Sequence, residues 1–179
     1  MLREEAPESV CALGGKFAVD DDRTVPDTAQ AVLEFRSGRL LIFGQYEATG
    51  TPLLLQGEVE LRGTQGTAYL HGHGGYAIEL ARGGQFQSSQ PRLKPEQGAS
   101  SGNLDDAHVR NFVDCVKSRA RPHADVEIGH RSTTMSLLAN ISLATRLRLE
   151  WDGQQERITN SKEANDLLHY EYRSPWKLG

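Results

Sequence analysis

Cysteine is almost missing from this chain: Cys11 and Cys115 are the two among 179 residues, far apart and without metal-ligand spacing. A disulfide-stapled scaffold and a cysteine-based zinc site are thereby excluded. A single bridge between them, or two small apolar thiols in a reducing cytoplasm, remain as readings, and the sparse usage favours the second. Basic excess is missing too, since 20 Lys and Arg face 24 Asp and Glu for a net charge of −4. Such a chain offers nucleic acid no basic face. No apolar run approaches the roughly 18 residues that cross a bilayer. The opening MLREEAPESV has acids where a secretory leader needs an apolar stretch, so it reads as no signal. A P-loop, a GxSxG elbow and a strand–GxGxxG–helix unit are also absent.

What is present suits one ordinary soluble domain over residues 1–179, with 37% hydrophobic and 25% charged residues. The first half reads as β. Ser9 to Val19 forms a plausible strand in which Gly14-Gly15 marks a bulge or a close backbone approach. After the acidic DDDRTVPD loop, Thr28 to Phe35 places Ala29, Ala31, Leu33 and Phe35 on one face. Arg36-Ser37-Gly38-Arg39 signals a hairpin, because Gly38 tolerates positive φ. Leu40 to Glu47 returns antiparallel, with Leu40 to Phe43 apolar on both faces. Val59 to Gly63, Thr67 to His71 and Tyr76 to Ala81 follow, separated by glycine turns.

Residues 83–103, GGQFQSSQPRLKPEQGASSGN, hold few large apolar groups and read as a flexible polar loop. Beyond Asn103 the period changes to 3.6. Val109, Phe112, Val113 and Val116 form one stripe, with Asn103 or Asp105 as the cap and Arg121-Pro122 as the stop. A second helix spans about Glu127 to Arg146, with Thr134, Leu137, Leu138, Ile141 and Ala144 inward. Leu147 to Trp151 is a strand, and Asn160 with Glu163 resembles a capping box before a last short helix. The expected class is α+β: a mostly antiparallel open β-sheet with helices packed on one face.

The order of elements after Asp105 carries a resemblance. Asn111-Phe112-Val113-Asp114-Cys115 is followed by the basic turn Ser118-Arg119-Ala120-Arg121-Pro122, then by Asp125 to Ser132 with Gly129-His130-Arg131-Ser132. Asn140-Ile141, Trp151-Asp152, Glu163-Ala164-Asn165 and Tyr172-Arg173-Ser174-Pro175-Trp176 complete the series, and Gly63 to Thr67 adds a matching turn in the β half. Together these resemble the C-terminal domain of bacterial-type Gfo/Idh/MocA oxidoreductases, the group of glucose–fructose oxidoreductase and inositol dehydrogenase. The family's N-terminal Rossmann domain and its Glu-Lys-Pro segment, which carries the catalytic lysine, have no counterpart in this sequence.

The resemblance implies a substrate-binding and oligomerisation domain of an NAD(P)-dependent sugar or polyol oxidoreductase, not catalytic alone. It implies a homo-oligomer joined through the open sheet face, a Rossmann domain supplied elsewhere or by another chain, and a small sugar substrate. NAD(P) belongs to the full-length family member and no cofactor to this chain. A non-catalytic assembly module and a stand-alone sugar-binding domain, with residues 83–103 as a lid, are the alternatives.

His130 and Arg131 at the start of the second helix admit two readings. An imidazole and a guanidinium fork there suit a substrate hydroxyl or carboxylate. Equally, Arg131 can pair with Glu127 and His130 with a backbone carbonyl. Tyr172, Arg173 and Trp176 in the tail are residue types that anchor interfaces, either with a domain or with substrate. His71-Gly72-His73 sits in a turn without a third ligand, which argues against metal. His108 and Asp105 fit a solvated helix face as well as an acid/base pair. No catalytic, cofactor-binding or metal residue is assigned.

Overall fold

The first hairpin turns on Gly38, whose φ of +79° is the conformation expected of it. Gly38 N–H donates to the Phe35 carbonyl (2.8 Å) and Phe35 N–H to the Arg39 carbonyl (3.0 Å). The computed structural model describes residues 4–50, 54, 57–72, 74–80, 94–99, 102–170 and 172–177. Its early strands are β1 (Ser9–Gly15), β2 (Thr28–Glu34), β3 (Leu40–Tyr46), β4 (Val59–Arg62), β5 (Gly66–Leu70) and β6 (Tyr76–Leu80). Then come β7 (Glu96–Gly98), α1 (Leu104–Ser118), α2 (Val126–Thr145), β8 (Leu149–Asp152), β9 (Arg157–Ile158) and α3 (Lys162–Asp166). The class is α+β. The antiparallel strands fall into two sheets, one in each of two units: Met1–Gly50 with Val126–Gly179, and Thr51–Asp125.

The first unit holds a sheet in the order β3-β2-β1-β8-β9. Alternation decides its faces. Val10 and Ala12 of β1 and Ala31 and Leu33 of β2 point inward, while Cys11, Leu13, Gln30, Val32 and Glu34 point out. Gly14 is needed in the pairing of β1 with β2, because a Cβ there would lie 2.3 Å from the Thr28 carbonyl oxygen. Gly14 therefore serves a close backbone approach within a regular ladder, while Gly15 leaves room for the Phe17 ring. The inward side chains meet Leu138, Ala139 and Ile141 of α2, and Leu149, Trp151, Ile158 and Ala164 complete the core. Each large one among them stabilises the fold by about 1.5–3 kcal/mol through apolar burial.

The α2 contact face differs from the expected one. Leu138, Ala139, Ile141 and Ser142 are buried, whereas Leu137 is exposed. The helix is rotated so that Ser142 enters the core, where its hydroxyl accepts the Ala12 N–H (2.9 Å) and donates to the Leu147 carbonyl (2.6 Å). The last helix is capped by Ser161, whose hydroxyl accepts the Ala164 N–H. Asn160 instead joins the β8–β9 ribbon, accepting from Glu150 N–H (3.0 Å) and donating to the Arg148 carbonyl (2.8 Å).

The second unit holds a sheet in the order β4-β5-β6-β7 and the helix α1. Its turns follow the glycines: Gly63 N–H donates to Gly66, and His71 N–H to the Gly75 carbonyl (both 2.9 Å). β7 lies within the segment read as a polar loop, most of which is outside the described residues. Asn103 caps α1 by accepting the Asp105 N–H (2.9 Å), and Arg119 ends it in the left-handed conformation. The apolar stripe forms as expected. Among the described residues it is uncovered, with Val109 and Phe112 each 59% exposed.

Candidate functional site

His130 and Arg131 lie in the second turn of α2, facing the turn between β8 and β9. Asp152 shapes that turn: its Oδ1 accepts the Gln154 and Gln155 N–H groups (3.0 Å each), and these bonds hold its carboxyl below the usual aspartate range. The turn thereby presents Glu156, at φ +50°, to His130, with Nε2 2.7 Å from the carboxylate Oε1. Arg131 donates to Glu127 (2.7 Å) and to the Gly153 carbonyl (3.1 Å). The expected pairing of Arg131 with Glu127 is present. His130 meets a carboxylate where a backbone carbonyl was expected. The depression these groups share with Glu5, Ala6, Pro7, Thr134 and Trp151 measures about 10 Å³, room for a single water. In this conformation the pair fastens a helix to a turn.

Among the described residues no hydrogen bond, ion pair or ring contact links the tail residues to His130 or Arg131. The Tyr170 and Tyr172 rings sit 4.8 Å apart. Their hydrogen bond pushes the Tyr172 phenol above its ordinary range. Trp176 N–H donates to the Arg173 carbonyl (3.0 Å), closing a turn around a cis Ser174-Pro175 bond, and Trp176 is 69% exposed. Tyr172, Arg173 and Trp176 thus form an open aromatic and cationic surface.

Two further features were not anticipated. Asp27 is buried, and its Oδ2 accepts three successive N–H groups, from Phe17, Ala18 and Val19, each at 2.9 Å. Oδ1 accepts the Thr28 hydroxyl (2.8 Å). Such a ring of amides binds anions, and here the protein supplies its own, so the carboxyl is held far below its ordinary range. The preceding loop is fastened by Lys16 to Asp21 and by Arg23 to Asp21 and Glu47. The second feature is a groove of about 140 Å³ between α2 and the inner face of β1 to β3. Alanines 12, 29, 31 and 139 line it with Phe43, and Ser136, Gln45 and Asn140 supply its polar groups.

The outer face of the same sheet carries several exposed apolar side chains among the described residues. β-pairing sets Cys11 beside Val32 and Val32 beside Ile42, with Leu13 and Leu40 in the flanking rows. Leu13 is 75% exposed, Leu40 62%, Ile42 61% and Val32 37%. A polar group closes one end, where Arg148 donates to Ser9 (2.9 Å) and Glu34 (2.8 Å).

A dinucleotide pyrophosphate is held where a glycine turn leads from a strand into a helix N-terminus; among the described residues, the turn between β5 and β6 leads into a strand instead.

A family model described as oxidoreductase family, C-terminal alpha/beta domain, from the Gfo/Idh/MocA group, matches residues 18–178. No curated protein matches the chain significantly. Among solved structures, an oxidoreductase from Agrobacterium radiobacter, in complex with NAD+, L-tartaric acid and magnesium, is similar at 19% identity and a TM-score of 0.53 over 81% of this chain. An NAD-binding protein from Listeria innocua is similar at 17% identity and a TM-score of 0.52 over 83%. At these identities the likeness is one of fold. The chain spans 43% and 47% of those two proteins, less than half of each.

Proposed function

Because this chain belongs to the Gfo/Idh/MocA oxidoreductase family through that family's C-terminal alpha/beta domain, we propose that it supplies the substrate-side and subunit-joining half of an NAD(P)-dependent sugar or polyol oxidoreductase. The observation that carries the reading is the open face of the first sheet, with Leu13, Val32, Leu40 and Ile42 exposed together. A contiguous apolar face of this kind marks an interaction surface. A second copy of the same face would cover it in an isologous contact.

Hydride transfer in the proposed enzyme belongs to nicotinamide held by a Rossmann domain. The Agrobacterium protein's complex with NAD+ supports that cofactor, and the L-tartaric acid in the same complex is a polyhydroxylated ligand. The part of this chain is to shape the substrate side and exclude water. Arg173 offers a bidentate donor fork, and Tyr172 and Trp176 offer flat apolar surface with polar tips, a combination suited to a hydroxylated ring. His130 and Arg131 contribute at one remove, by fixing the β8–β9 turn.

Size-exclusion chromatography with light scattering, followed by an NAD(H) titration of the same sample, tests the reading. The expected result is a dimer or tetramer that does not bind NAD(H). A monomer that binds NAD(H) overturns it.

A further inference from the structure

We draw no further inference here: the strongest candidate, the groove of about 140 Å³ between α2 and the inner face of β1 to β3, is lined by alanines beside Phe43, and nothing in the structure shows what covers it.

Discussion

The Ser142 hydroxyl accepts the backbone N–H of Ala12 at 2.9 Å, across 130 residues of chain. The β1–β8 register explains its place. Val10 faces Leu149, so two residues further on Ala12 faces Leu147. No direct rung forms there. Ser142 inserts between them, taking the Ala12 N–H and giving its own proton to the Leu147 carbonyl (2.6 Å). A helix side chain thus completes the ladder where β8 has not begun.

Ser142→Ala should destabilise the protein by about 1–3 kcal/mol, because the buried Ala12 N–H is left without a partner. Urea denaturation followed by circular dichroism measures this. A change under about 0.5 kcal/mol would show that the bridge is dispensable.

Asp27→Asn should lower the melting temperature and expose the 16–27 loop to protease, since three amides that converge on a charged Oδ2 would meet a neutral amide oxygen, a weaker acceptor. The folded-state carboxyl titrates well below its unfolded value, so its contribution is complete above the ordinary aspartate pKa of about 3.9 and is lost as pH falls further. The melting difference between the two proteins should therefore be flat from about pH 5 to 8 and shrink only in stronger acid. A difference that disappears near neutrality would contradict this assignment.

Gly14→Ala places a methyl group 2.3 Å from the Thr28 carbonyl oxygen and 2.7 Å from the Ala29 Cα, both backbone atoms. Neither can step aside without distorting the β1–β2 ladder, so a loss of about 1–3 kcal/mol is expected. Ala substituted for Gly38 tests a separate cause at the same time. Nothing lies within 4 Å of a Cβ there, and its cost comes from the φ of +79° alone.

Arg173→Ala, in an enzyme carrying both domains, should raise the KM for substrate while NAD(P) affinity is unchanged. Steady-state kinetics varying each ligand separate the two. Equal losses in both would give Arg173 a folding role.

The hairpins and helix extents were legible because glycines and periodicity act locally. Gly38, Gly63 and Gly66 mark turns by what their backbones must do. The α2 contact face was not legible, because Leu137, Leu138, Ile141 and Leu143 lie on several sides of the helix and do not define one stripe. Ser142 counts as polar in any periodicity, and only the gap opposite Ala12 makes it a core residue. Strands β7 and β9 are too short, and too polar in β7, to carry an alternating pattern. Among four aspartates in the DDDRTVPD segment, the sequence alone does not tell which one meets the amides of Phe17 to Val19. For His130 the missing information was its partner, since Glu156 lies 26 residues away and is presented by a turn that Asp152 organises.

The pairing of Val10 with Leu149 also sets a timetable for synthesis. At about 5–20 residues per second, the ribosome delivers β8 some 7–28 seconds after β1. Through that interval the strand destined for the middle of the sheet has one edge without its neighbour, and the inward faces of β1 and β2 wait for α2. The 51–125 unit has all its strands in hand before then. Late arrival of the closing segment leaves the inward residues of nascent β1, Val10 and Ala12, without their α2 and β8 neighbours until the last fifth of the chain has been made.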